Sequence, residues 1–215
     1  YHTVKQINLQ GKRLYEAPDG SKTPSVTTIL GKTKDMTHLN AWRKRVGEKK
    51  AQEIVTEAAG VGTRMHKFLE DYILDGEWPQ PGSNPYSQQA NKMGEQIRDN
   101  AMVDVDAIWG TEVMLYHPQI YAGTTDLVGT YKGQPCIMDF KQSNKPKKKE
   151  WIENYFTQAA FYAAAFFERT GVSIKQFAIV IAVDDNEPQV FTGKTHDYLN
   201  KLLDARIKYA EDKGI

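Results

Sequence analysis

The sequence has a single cysteine, Cys136, among 215 residues. One thiol closes no intramolecular disulfide and supplies no four-thiolate zinc or iron-sulfur site, so a disulfide scaffold is excluded and a reducing compartment suits the chain. Long apolar runs are missing too. None approaches the roughly 18 residues that cross a bilayer, and Tyr1 to Gln10 lacks the apolar block of a signal peptide. The expectation is a soluble protein with no membrane partner, although an opening on Tyr1 instead of methionine leaves room for a removed tag, leader or targeting segment. There is no excess of charge of either sign: 28 Lys+Arg against 27 Asp+Glu leave +1. A polyanion would have to be met by locally clustered charge. Internal repeats are absent, and low complexity is confined to a short lysine run at 145–149, so no solenoid or disordered tail is needed.

What is present suffices for one core. The 40% hydrophobic content over 215 residues fits a single domain, 1–215, with an N-terminal hairpin and helical appendage in 1–60 and the core in 61–215. Pro18, Asp19 and Gly20 mark a turn, after which Thr23 or Ser25 can cap a short helix. His38 to Ala59 has helical periodicity that places Trp42 in the apolar stripe, and Gly60 and Gly62 are expected to interrupt it. A second helix is expected over Thr63 to Leu74, then a loop rich in glycine and proline, then a helix carrying Ala90, Met93 and Ile97. Strand-like runs follow at Ala107 to His117, Tyr121 to Tyr131 and Gln134 to Lys141, with Lys132 and Gly133 as a tight turn, which predicts an antiparallel meander. A helix over Trp151 to Arg169, strands at Gln176 to Val183 and Gln189 to Thr192, and a last helix complete the chain. The fold class is α/β (α+β).

The chemistry concentrates in the meander. Alternation puts Ile137, Asp139 and Lys141 on one face of the third strand, and the tight turn folds Asp126 back beside Asp139. Two neighbouring aspartates repel unless a cation lies between them. Hard oxygen ligands with places left for water suit magnesium or manganese. Such an ion polarises a phosphoryl oxygen and lowers the pKa of water, while Lys141 can stabilise the transition state and orient the attacking water, its pKa lowered by the ion. Taken one at a time, Asp139 with Lys141 reads as an ordinary surface pair and Asp126 as a turn cap; the combination favours catalysis.

Gly123-Thr124-Thr125-Asp126 followed by Ile137-Met138-Asp139-Phe140-Lys141 resembles the core of the PD-(D/E)XK nucleases, with Asp139-Phe140-Lys141 as the (D/E)XK element. The stretch Gly62 to Glu70 around His66, and Gln158 to Tyr162, resemble the RecB-type branch. From about Pro24 to Val190 the chain is similar to the family of mitochondrial genome maintenance exonucleases and related phage exonucleases, which degrade single-stranded DNA from its ends. The resemblance implies a restriction-endonuclease-like core, a central mixed sheet flanked by helices with an N-terminal helical appendage. It also implies Asp126, Asp139, Lys141 and Glu112 as catalytic residues, with His66, Asp126, Asp139 and Phe140 at the metal. Gln158 and Tyr162 would contact Lys141 and the DNA, and Glu70 would bind metal through water or support His66. The iron-sulfur branch is ruled out by its missing cysteines, and Gln142 stands where relatives often have a hydroxyl residue.

Lys145, Lys147, Lys148 and Lys149, just past the catalytic strand, can neutralise phosphates of an entering strand. Arg43, Lys44, Arg45, Lys49 and Lys50, interleaved with Trp42, can line a channel where bases stack on aromatics, and the resemblance implies that Leu30 to Ala59 form an arch under which a single strand is threaded. The expected partners are single-stranded DNA and replication or recombination proteins, in the cytoplasm of a bacterial or phage-infected cell or, alternatively, in the mitochondrial matrix. Two other functions fit the same fold: a structure-specific endonuclease and a module that binds DNA without cutting it.

Overall fold

A computed structural model describes residues 4–9, 12–33 and 36–213. Three short strands, β1 (Lys5–Leu9), β2 (Lys12–Glu16) and β3 (Lys22–Pro24), form an antiparallel sheet, so the expected hairpin gains a third strand. The turn between β2 and β3 is set by Asp19, whose carboxylate accepts the Ser21 N–H at 2.9 Å, and by Gly20 with a φ of 80°. Val4, just before β1, and Tyr15 of β2 pack on Ala122 of the main body. Ser25 then caps α1 (Val26–Thr33), its hydroxyl accepting the Thr28 N–H at 3.0 Å.

The next stretch departs from the expected pattern. Helix α2 (Thr37–Val46) ends at Gly47, whose φ is 86°, and α3 (Glu48–Asp75) then runs unbroken for 28 residues through Gly60 and Gly62. The helix expected over Thr63 to Leu74 is its final part. Each helical glycine costs about 1 kcal/mol against alanine. Burial of Val61, Met65 and Leu69 on this helix contributes roughly 1.5–3 kcal/mol per side chain and outweighs that penalty. Trp42, expected in the core, is only half-buried. Helix α4 (Pro85–Asn100) begins at Asn84, which accepts the Tyr86 N–H, with proline in the first turn.

The meander is β4 (Val105–His117), β5 (Tyr121–Tyr131) and β6 (Gln134–Ser143). Helix α5 (Glu153–Thr170) crosses over to β7 (Gln176–Val183), which lies parallel to β6, and β8 (Gln189–Lys194) and α6 (Leu199–Lys213) follow. The mixed sheet has the order β4-β5-β6-β7-β8. One face packs Leu127, Met138, Phe140 and Val180 against Met65, Leu69, Met93 and Ile97 of α3 and α4. The other packs Val128, Ile137 and Ile179 against Phe156 and Phe161 of α5 and Leu202 of α6. The expected central mixed sheet flanked by helices is therefore what the chain adopts.

One detail of register positions everything that follows. β5 pairs with β6 only from Tyr131↔Gln134 to Leu127↔Met138. Beyond that point β6 continues beside β7 as far as Ser143↔Val183, and β5 continues beside β4 as far as His117↔Tyr121. The sheet forks, and the next residue on each prong is an aspartate.

Candidate active site

Asp126 and Asp139 occupy the mouth of this fork. Main-chain groups that lose their ladder partners where strands diverge must find others. Here the side chains of β5 supply them: Thr125 Oγ1 donates to the Met138 carbonyl at 3.2 Å, and Asp126 Oδ2 accepts the Phe140 N–H. The second oxygen of Asp126, Oδ1, lies 3.1 Å from Nδ1 of His66, which α3 delivers from the Met65 and Leu69 side of the sheet. Glu112 stands across from Asp126 between the paired positions Thr111↔Leu127 and Val113↔Thr125, with Oε1 4.0 Å from the same imidazole nitrogen. Its φ of 47° lies in the left-handed region, at a cost of about 1–2 kcal/mol for a side chain with a Cβ. A strained residue inside a strand, at a cluster of charged groups, is where such a cost is ordinarily tied to function.

Ligand atoms of His66, Glu112 and Asp126 all fall within 4.8 Å of one another. They line an open cavity of about 530 Å³ with Gly62, Thr63, Lys67 and Glu70. Glu70 shares the wall but pairs with Lys67 at 3.4 Å and lies outside the compact donor group. Asp139 is also outside that group. It is 1% exposed and ion-paired with Lys141, and its Oδ2 has no well-aligned hydrogen bond. Phe140 buries its ring in the α3–α4 core and reaches the site only through its main chain.

Helix α5 closes the other side. Gln158 Nε2 donates to the Tyr162 hydroxyl at 2.9 Å, both residues being buried. A Cβ on Gly123 would come within 2.9 Å of the Tyr162 ring, so β5 must carry glycine there. The aromatic over Lys141 is Tyr155, its ring centroid 5.4 Å from the ammonium. Sequence reasoning did not single out Tyr155, although it precedes Gln158 by three residues and Tyr162 by seven, the spacing of one helical face. Gln142, noted in the sequence only for departing from its relatives, has a structural role: its side chain donates to the Ala58 carbonyl at 3.0 Å and ties β6 to the helix bearing His66.

Burial and charge set the protonation states. Burial opposes a proton on His66, but the Asp126 carboxylate outweighs it and raises the imidazole pKa. Burial would raise Asp126, yet His66 and Lys141 hold it below the usual carboxylate range. Asp139 goes the other way, raised by burial against the pull of Lys141. Glu112 is pushed up to about 7, first by burial and then by the Asp126 charge. The Lys141 ammonium, which burial would discharge, is kept charged by Asp139 and Asp126, so with these two carboxylates alone beside it its pKa is raised.

This donor set fits a hard divalent cation. It offers carboxylates and one imidazole within reach of one another, and two carboxyl groups, Glu112 and Asp139, whose pKa values are raised first by burial and further by the neighbouring Asp126 charge that a cation would offset.

The lysine run leaves β6 two residues after Lys141 and is held at its backbone. Ser143 Oγ donates to the Lys145 carbonyl at 2.8 Å, and the Gln189 amide brackets Lys147 with bonds of 2.6 and 3.0 Å. Lys145, Lys148 and Lys149 have no carboxylate partner among the described residues. The upstream basic run is partly neutralised, Arg43 pairing with Glu48 and Lys50 with Glu53.

No protein-family model matches the chain. It is 27% identical over an alignment of 180 residues to mitochondrial genome maintenance exonuclease 1 of Xenopus tropicalis, and 28% identical over 180 residues to that of Homo sapiens. Each alignment covers 77% of this chain and 50% of the relative, so the chain spans about half the length of the curated relatives it matches. A candidate exonuclease from Eubacterium rectale, of known structure, superposes with a TM-score of 0.48 at 18% identity, covering 70% of this chain and 63% of that one, too distantly to carry an argument. The sequence similarity supports a PD-(D/E)XK nuclease-like relationship, the one carried by the motifs ending in Asp126 and Lys141.

Proposed function

We propose that the chain is a divalent-metal-dependent nuclease that hydrolyses phosphodiester bonds of single-stranded DNA from free ends, in replication, repair or recombination. The observation that carries this reading is the convergence of His66, Glu112 and Asp126 within 4.8 Å beside the Asp139–Lys141 ion pair, at the fork of β5 and β6. The relatives' name, exonuclease, supports it over the half of their length that this chain spans.

His66, Asp126, Glu112 and Asp139 would hold the ion. Magnesium or manganese, when bound, supplies charge at the phosphoryl oxygen and makes water a better nucleophile at neutral pH. The chain's own residues do the rest. The Phe140 N–H fixes one oxygen of Asp126 and leaves the other toward His66. Lys141, kept charged by its two aspartates, faces the developing negative charge on the phosphate and orients the attacking water. Burial, and after it the Asp139 charge, keeps the Tyr162 hydroxyl protonated. Since that oxygen already accepts from Gln158, its own hydrogen is left to donate to the substrate. Glu70 supports the wall behind His66, and Lys145, Lys147, Lys148 and Lys149 neutralise phosphates of the incoming strand.

The test is hydrolysis of end-labelled linear and of circular single-stranded DNA with magnesium, manganese or EDTA, comparing the parent chain with Asp139→Ala and Lys141→Ala. Loss of linear DNA only, with metal only and only by the parent, is expected. Cutting of circles would make it an endonuclease, and absence of cleavage by the parent would sink the nuclease reading.

A further inference from the structure

Two of the four exposed large aromatic side chains among the described residues have a partner within the fold: Trp109 stacks on Phe166, and the Tyr86 hydroxyl donates to Glu57, while Phe167 is a lone ring on α5. Trp151 differs. It ends the short 3-10 turn Lys149–Trp151 and is 61% exposed. Its one ring contact among the described residues is a cation, the Lys148 ammonium 5.2 Å from the ring centroid. That ammonium covers one side of the indole, and packing accounts for neither the exposure nor the size of the residue.

Its place in the fold gives a reason for both. The N–H of Trp151 bonds to the Lys148 carbonyl at 3.0 Å and that of Tyr155 to the Ile152 carbonyl at 2.8 Å, so the turn leads directly into α5 and to Tyr155. Tyr155 lies over Lys141. Trp151 thus stands four residues from the aromatic that touches the catalytic lysine. Around it are Lys145, Lys148 and Lys149, with no acidic partner among the described residues, on a loop whose backbone is pinned by Ser143 and Gln189. An open aromatic face amid unpaired ammonium groups suits one chemical class of ligand, a nucleic acid strand with unstacked bases. Duplex bases already have both faces covered.

We propose that Trp151 is a stacking platform for a nucleobase of single-stranded DNA, within a few nucleotides of the bond at Lys141, while Lys145, Lys148 and Lys149 meet the neighbouring phosphates. The proposal rests on the nuclease reading and adds the residue that selects an unpaired strand.

The test separates binding from cleavage. Tryptophan fluorescence is followed in EDTA as an oligothymidylate is added, and again with an abasic strand bearing the same number of phosphates. KM and kcat are then measured with metal. For the parent we expect quenching by the first probe and weaker binding of the second. Trp151→Ala should lose the quench, bind oligothymidylate on the order of tenfold more weakly and raise KM with kcat little changed. Its affinity for the abasic strand should stay at the parent's, and Trp151→Phe should restore most of the affinity for oligothymidylate. Unchanged affinity and KM in Trp151→Ala, or equal losses on both probes, overturns the platform while parent cleavage leaves the nuclease reading standing. A quench and an affinity that depend on Trp151 without any hydrolysis keep the platform and remove the nuclease. If the parent binds no oligothymidylate in EDTA the platform falls, and if it also cleaves none with metal the nuclease reading falls with it.

Discussion

Glu112 combines a left-handed backbone with a carboxyl pKa raised to about 7, and both point to a residue held in place for a cation. Because the folded pKa lies above the ordinary 4.5, the protein favours the neutral acid. The stability this contributes is fully present below pH 4.5 and is lost as the pH rises through about 7. In EDTA, Glu112→Gln should therefore melt at a higher temperature than the parent at pH 8, with the gap closing by pH 4.5. Equal gaps at both pH values in thermal unfolding would show that the carboxyl is not strained. Manganese should reverse the order at pH 8 by stabilising the parent more. If Lys141 faces the reacting phosphate as proposed, Lys141→Ala should lower kcat by about 10²–10³-fold in a metal-saturated assay. A drop confined to KM would move Lys141 from catalysis to binding.

Among the elements, the contact between β5 and α5 has the least slack. Gly123 lets the Tyr162 ring come close to the strand, and Gly123→Ala must displace a ring whose hydroxyl accepts from Gln158. A cost of roughly 1–3 kcal/mol in unfolding free energy is expected, together with reduced activity. Stability loss with full activity would separate Tyr162 from the site. The meander was legible in the residues because alternation and the Lys132–Gly133 turn specify it locally, and so were Asp126, Asp139 and Lys141 as neighbours. The continuity of α3 was not, since glycine propensity is a weak force beside the burial of Val61, Met65 and Leu69. The parallel pairing of β6 with β7, the left-handed Glu112 and the place of Tyr155 over Lys141 were also hidden. Each depends on partners far away in the chain, which periodicity does not report.

At the scale of the molecule, a formal charge of +1 leaves the electrostatic attraction for DNA to locally clustered cations. Replacing Lys145, Lys148 and Lys149 by alanine should flatten the dependence of log affinity on log salt by about 0.7 for each phosphate that is no longer neutralised, measured on single strands in EDTA. An unchanged slope would place the DNA elsewhere. The fork has a consequence for the chain before it is fully folded. The β5–β6 hairpin can form early because its halves are close in sequence, whereas seating β7 beside β6 must wait until α5 has crossed the sheet, and His66 must arrive from α3. The histidine therefore joins the aspartates through contacts of high sequence separation, the kind expected to form late. If the chain is the nuclease proposed above, a half-folded molecule that still holds its aspartates apart from its histidine is expected to leave the DNA around it uncut.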